Sequence, residues 1–284
     1  KTCMHRIVYL IWRESFWPNG VSAVTFPNKA ARGMRERLGL LLGQNSGNRG
    51  FMPWMGTFHG ICVRMLRIEG EAIGIARNFV IYDEDDRRGL VKQAMKQLSI
   101  SDKELKAQSV SSAISSAKNE MVDPVAFASA AQFPYQKNIA KIYQRYEDLR
   151  KTAGALDFDD LLLEVVRLFR DVPAIRTKWQ SSFKHILIDE YQDTNRPQYE
   201  LMRMLAGEHH NVCAVGDEDQ SIYSWRAADI RNILEFEQDF PEAKIIRLEQ
   251  NYRSTQTILQ GASAVVDNNI KRKGKNVWTS RQGG

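Results

Sequence analysis

The stretch FKHILIDEYQDTN, residues 183–195, constrains this chain more than any other. His185 to Asp189 is an apolar run closed by an acid, and Glu190 follows where the chain must turn. A short unbroken apolar run suits a strand buried on both faces of a parallel sheet, and ligands of such sheets gather at the carboxyl ends of the strands. Two acids placed there can serve a metal. In nucleotide hydrolysis the first carboxylate holds Mg²⁺, directly or through water, and the second orients the attacking water. The same pair can instead cap the helix expected to begin near Asn195. The pair alone does not separate the two readings.

Two later stretches repeat the design. Residues 211–224, NVCAVGDEDQSIYS, run from an apolar Val212–Val215 through Gly216 into Asp217, Glu218, Asp219 and Gln220. A third apolar run, Ile245–Leu248, leads into Glu249, Gln250, Asn251, Tyr252, Arg253, Ser254 and Thr255. Three strand-like segments that each end in a polar cluster describe the rim of a doubly wound, nucleotide-binding α/β sheet. Here the words themselves carry a likeness. DEYQDTN, VGDEDQSIYSWR and LEQNYRST resemble motifs II, III and IV of the UvrD/Rep/PcrA family of DNA helicases.

Composition sets bounds around that likeness. With 284 residues the chain can bury a real core and more than one domain. Its 43% hydrophobic and 26% charged residues are those of an ordinary soluble protein. No apolar run reaches membrane-span length and no signal peptide is evident at the first residues, so a cytoplasmic location and no membrane partner are expected. Cys3, Cys62 and Cys213 form no CxxC pair and suggest neither disulfides nor zinc. A net charge of +6 permits a polyanionic partner without requiring one.

Taken in order, the chain opens on Lys1 and Thr2 before an apolar-periodic segment, Ile7, Val8, Leu10 and Ile11, that reads as a helix. A bare Lys-Thr pair has no specificity. The resemblance makes it the tail of a phosphate-binding loop whose Gly-rich turn would precede Lys1. Val21–Phe26 reads as a strand and Asn28–Leu42 as a basic amphipathic helix with Lys29, Arg32, Arg35 and Arg37, a solvated face by default. SAVTFPNKAA resembles the family's motif Ia, which implies that Phe26 stacks on a base and Asn28 meets the backbone of single-stranded DNA; Pro27 departs from the family's threonine. After a polar loop at 44–50, Trp54 to His59 resembles motif Ib, implying phosphate contacts from Thr57 and His59.

From about 65 to 182 the pattern is mainly helical and carries no rim motif. Asp157-Phe158-Asp159-Asp160 in that region is explained as a helix start and given no chemistry. The fold expected is therefore α/β, a RecA-like parallel sheet with helices on both faces, interrupted by a helical insertion. The expected domains are 1–64 and 183–250 for the motor, 65–182 for the insertion, and 251–284 for the start of a second motor domain. Beyond Thr255 a helix at 256–268 and a basic run at 271–275 are expected.

The resemblance also assigns roles. Asp189 would bind Mg²⁺, with Thr2 completing the metal site, and Glu190 would act as base or water-positioner. Gln220 would sense the γ-phosphate and Arg253 would act as an arginine finger. Lys1 would hold phosphate, and Tyr252 would stack on adenine. Tyr223, Trp225 and Arg226 would couple the site to DNA; for the two aromatics the plainer reading is core packing. Ala227 stands where the family has glycine. The function implied is an ATP- and Mg²⁺-dependent 3′ to 5′ DNA helicase acting on single strands and their junctions with duplex. The rivals are a non-catalytic single-strand-binding remnant and the motor of a helicase–nuclease. Residues 1–284 alone are expected to bind Mg-ATP and single strands weakly and to unwind nothing.

Overall fold

The computed structural model describes residues 2–48, 50–207, 209–269 and 274–281. Four parallel strands form the central sheet: β1 (Val21–Thr25), β2 (Met55–Thr57), β5 (His185–Ile188) and β6 (Val212–Ala214), in the order β2-β1-β5-β6. A second, two-stranded parallel sheet pairs β3 (Val80–Ile81) with β4 (Ala155–Leu156).

Alternation along β1 and β5 explains why helices cover both faces. Val21, Ala23 and Leu187 enter one core with helix α1 (Thr2–Trp12) and α2 (Asn28–Leu42). Val24, Ile186 and Ile188 point the other way, into a core shared with α3 (Phe58–Glu69). Successive strand side chains face opposite sides, so a run buried on both faces must be apolar throughout. In α1 the buried residues Cys3, Met4, Ile7 and Leu10 recur at helical spacing, which fixes the stripe laid on the sheet. In α2, Gly43 at φ 62 supplies the left-handed residue that closes the helix. Arg35, expected on a solvated face, instead donates to the carbonyl oxygens of Phe51, Met52 and Met55 and so satisfies a loop that would otherwise bury bare acceptors.

Between β2 and β5 lies the helical region. Its helices α4 (Glu84–Gln97), α5 (Ala107–Asn119), α6 (Pro124–Ala130) and α7 (Pro134–Thr152) enclose a core of their own around Val91, Ile114, Ile142 and Tyr146. By contrast α8 (Phe158–Asp171) and α9 (Pro173–Ser182) add Leu161, Val165, Phe169 and Trp179 to the core beneath the sheet. After β5 come α10 (Arg196–Ala206), the short α11 (Arg231–Leu234) and α12 (Phe236–Asp239), and finally α13 (Gln256–Val266). Start signals are met in detail: Asp83, Asp157 and Asn195 each cap a helix with a side-chain oxygen and donate their own backbone N–H to the side chain three places on.

Capping is only half of what Asp157 and Asp160 do. Lys118, 1% exposed, donates to Asp157 Oδ2 at 2.8 Å and Asp160 Oδ1 at 2.7 Å and pairs with Glu147 Oε1 at 2.7 Å. Arg150 joins from the same side, 3.0 Å from Asp160 Oδ2. Against the cost of burial, Lys118 holds the Asp157 carboxyl well below its ordinary range, while burial and the Asp157 charge push Asp160 well above.

One expected strand is absent. Ile245–Leu248 forms no ladder, and Ile245, Ile246 and Leu248 are 48%, 69% and 66% exposed. An apolar run becomes a strand only where a neighbouring edge takes its backbone groups. Among the described residues, β6 ends the sheet and the run meets no strand. Pairing resumes at Gln250, which bridges to Trp278.

Candidate functional site

Parallel pairing places every strand's carboxyl end on one edge. Thr25 is level with Thr57, and Ile188 with both Val24 and Ala214. The residues just beyond these positions therefore share a rim. The Asp189 N–H donates to Val24 O at 3.0 Å, which sets its side chain at the end of β5. Glu190 takes φ 57, ψ 44, a left-handed turn costing a non-glycine residue roughly 1–2 kcal/mol. The Tyr191 N–H then donates to Val215 O at 2.9 Å and fastens this turn to the end of β6.

Glu190 acts on a carboxyl group on either side of it in the chain, Asp189 and Asp193. Burial, then the Glu190 charge, raises Asp189 above its ordinary value, and the Cys3 thiol donates to it at 3.8 Å. Burial and Glu190 push Asp193 up to about 6. Negative charge that the protein does not itself neutralise is what a divalent cation relieves. Among the described residues no three His, Cys, Asp or Glu side chains form a metal cage. A Mg²⁺ carried on nucleotide phosphates needs only one or two carboxylates, so this donor set fits such an ion.

A second part lies around the loop after β6. Gln220 Nε2 donates to Asp217 Oδ2 at 2.6 Å. Lys275 donates to Asp217 Oδ1 and stands 3.4 Å from Asp219 Oδ2. Against burial, these bonds from Lys275 and Gln220 hold Asp217 below its ordinary value. Beside them Arg37, Gln220, Gln250, Asn251, Tyr252 and Arg253 line a cleft of about 650 Å³. Asn251 Oδ1 accepts from the N–H groups of Arg253 and Ser254, both at 2.8 Å, and so shapes the turn that presents Tyr252 and Arg253. Arg281 donates to Arg253 O at 2.6 Å, and Trp278 N–H to Glu249 O at 3.0 Å, so residues 274–281 brace that turn from outside. Tyr252 is 75% exposed, its hydroxyl on Gln250 at 2.7 Å.

The structure thus joins Gln220, Tyr252 and Arg253 in one cleft, and Asp189 with Glu190 at the end of β5 outside its lining. Thr2 opens α1 and is exposed, one residue from the Cys3 that touches Asp189. Lys1, and the 271–273 part of the basic run, lie outside the described residues. Nothing local in the sequence marks Arg37 or Lys275, because each sits in a run of basic residues that reads as a solvated face.

On the rest of the rim, Phe26 is half-buried with its ring 5.7 Å from that of Phe58, and Asn28 is exposed at the start of α2. Thr57 Oγ1 accepts from the Gly60 N–H at 3.2 Å as the cap of α3. His59 lies edge-on to Phe158 at 5.8 Å, and burial lowers its pKa, leaving a neutral imidazole that can donate one N–H. Tyr223 and Trp225 are neighbours, centroids 6.1 Å apart, with Trp225 72% exposed. Arg226 belongs to the same short 3-10 turn, its side chain outside what the structure describes. The turn closes on Ala227 at φ 61, a conformation that glycine adopts without strain.

Comparison with known proteins adds an independent finding. Residues 1–241 match the UvrD/REP helicase N-terminal domain. The whole chain aligns at 45% identity with the ATP-dependent DNA helicase PcrA of Staphylococcus aureus (strain Mu50 / ATCC 700699) and with the protein of that name from Bacillus subtilis (strain 168). The PcrA of Staphylococcus epidermidis is 44% identical. The chain spans 38% of the length of these relatives.

Proposed function

The chain belongs to the UvrD/REP helicase family, and from that premise we propose that it forms the nucleotide-hydrolysing, single-strand-binding part of an ATP-dependent DNA helicase. The observation that carries this reading is the shared rim: Asp189 and Glu190 at the end of β5 lie one strand from the loop that carries both Gln220 and the aromatic pair Tyr223 and Trp225. A phosphate-sensing group and base-stacking rings on one loop give hydrolysis a direct mechanical route to the strand. Bound Mg²⁺ would neutralise charge on the β- and γ-phosphates, with Asp189 and Thr2 as its protein ligands. Glu190 orients the water and accepts its proton. Gln220 meets the γ-phosphate, Arg253 stabilises the charge that spreads over it, Tyr252 stacks on adenine and Lys1 holds phosphate.

On the DNA side, Phe26, Tyr223 and Trp225 offer faces to bases, and Asn28, Thr57, His59 and Arg226 meet the backbone. The division into motor parts 1–64 and 183–250, an insertion at 65–182 and a further domain from 251 belongs to this reading. Movement is 3′ to 5′. In the protein that carries this sequence, a duplex with a 3′ single-stranded tail should be unwound with ATP and Mg²⁺, and a duplex with only a 5′ tail should not. Unwinding of the 5′-tailed substrate alone would refute the direction, and unwinding of neither would refute the helicase.

A further inference from the structure

Gln192 is 1% exposed and sits between the two halves of the rim. Its Nε2 donates to Glu190 Oε2 at 2.9 Å, and its Oε1 accepts from the Asp217 N–H at 3.0 Å. Both ends of one buried amide are thus engaged, each by a group from a different strand end. Their chemistry fixes which way the amide points, because an ionised carboxylate only accepts and a backbone N–H only donates. No other side chain of this length does both. Glutamate offers no donor to Glu190, methionine offers neither group, and asparagine is a methylene shorter.

Two costs in the surrounding backbone point the same way. Glu190 is held at φ 57, where an L residue is strained, so its carboxylate is aimed by a conformation that its own preferences oppose. Next to Asp217, a Cβ at Gly216 would stand 2.8 Å from Gln192 Oε1 and 3.2 Å from its backbone N. The loop after β6 therefore approaches as closely as the Gln192 bond demands. From Asp217 the connection continues to Gln220, whose Nε2 donates to Asp217 Oδ2 at 2.6 Å.

The geometry points to Gln192 as a positioning residue for hydrolysis. Its amide holds the Glu190 carboxylate in register with the Asp217–Gln220 loop, so that the water-orienting group and the phosphate-sensing group move as one. This rests on the reading of Glu190 as the group that orients water. A carboxylate released from that bond can still sit in the site but points elsewhere, and misplacement by about 1 Å costs about 10²-fold in rate.

The test compares Gln192→Met, Gln192→Glu and Glu190→Gln in the protein that carries this sequence. Steady-state ATPase with a dT oligomer and equilibrium binding of a fluorescent ATP analogue are the readouts. Gln192→Met should lower kcat by about 10²-fold while nucleotide affinity stays within about threefold of the parent. Gln192→Glu keeps the shape and the acceptor for Asp217, so a residue that merely held the loop would tolerate it. The inference predicts a comparable loss of kcat with affinity kept, because an ionised glutamate offers Glu190 no donor and repels its carboxylate. Turnover within about twofold of the parent in either variant, or affinity lost in step with kcat, overturns the inference. If Gln192→Met does not fold, Gln192→Glu carries the test, and if neither folds Gln192 is a folding residue and the inference falls. The two layers separate: active Glu190→Gln refutes the role of Glu190, whereas inactive Glu190→Gln beside active Gln192 variants refutes only that of Gln192.

Discussion

Arg253 and Tyr252 stand side by side on one turn, yet they should fail differently. A guanidinium that meets developing charge acts in the transition state, so Arg253→Ala should cut kcat by about 10³-fold or more. A ring stacked on the base binds ground state and transition state alike, so Tyr252→Ala should raise the apparent KM for ATP and leave kcat nearly unchanged. Michaelis–Menten curves for both variants decide it: an unchanged KM in Tyr252→Ala removes its adenine role, and an unchanged kcat in Arg253→Ala removes the finger. Residues of this kind were legible because they sit in long words with fixed chemistry, DEYQDTN and LEQNYRST. Gln192 lay inside one of those words and was passed over, since a glutamine in a turn reads as solvated until its burial and both partners are seen. Arg35 was misjudged for the opposite reason: helical spacing places it among basic neighbours, but the carbonyls it serves come from a loop 16 to 20 residues away.

At the level of elements, β5 and β6 were legible as apolar runs ending in polar clusters, β1 as the strand-like Val21–Phe26, and α2 by its amphipathic spacing. Ile245–Leu248 was not, because strand formation depends on an edge to pair with, and a local pattern does not report edges. The Ser224–Arg226 turn gives the loop after β6 its test. Trp225, 72% exposed, does not pack as a core residue. Trp225→Ala should weaken binding to a dT oligomer by about 1–3 kcal/mol and lower DNA-stimulated ATPase with it, at all base compositions. Fluorescence anisotropy that leaves affinity unchanged would exclude the ring from the strand track. Affinity should also fall steeply with added salt, as a backbone-tracking site requires.

The α5–α7–α8 junction makes a separate claim about stability. Lys118 is enclosed by Asp157, Asp160 and Glu147 with 1% of its surface exposed, so Lys118→Met strands the buried Asp157 without a cation and leaves Asp160 and Glu147 to Arg150 alone. The loss should be roughly 3–5 kcal/mol, read from urea denaturation. A change below about 1 kcal/mol would mean that the cluster behaves as a solvated surface pair. The capping role of Asp157 and Asp160 is legible locally, whereas this one is not, because Lys118 lies 39 residues before Asp157 in the chain.

The molecule as a whole joins a parallel sheet, a rim that gathers acids on one loop and aromatics on the next, and a net charge of +6 suited to a polyanion. No helix among the described residues is long and apolar enough to cross a membrane. On the function proposed, Glu190 serves ATP turnover for a strand held by the same rim. That role is tested most directly by ATP hydrolysis in the protein that carries this sequence, with and without single-stranded DNA, for the parent and for Glu190→Gln, with nucleotide affinity measured alongside. The amide keeps the shape of the carboxylate but cannot accept the proton from water. The parent should show DNA-stimulated turnover, and Glu190→Gln should lose turnover with nucleotide affinity largely kept. Hydrolysis in Glu190→Gln within a few-fold of the parent, at the same DNA stimulation, would contradict that role.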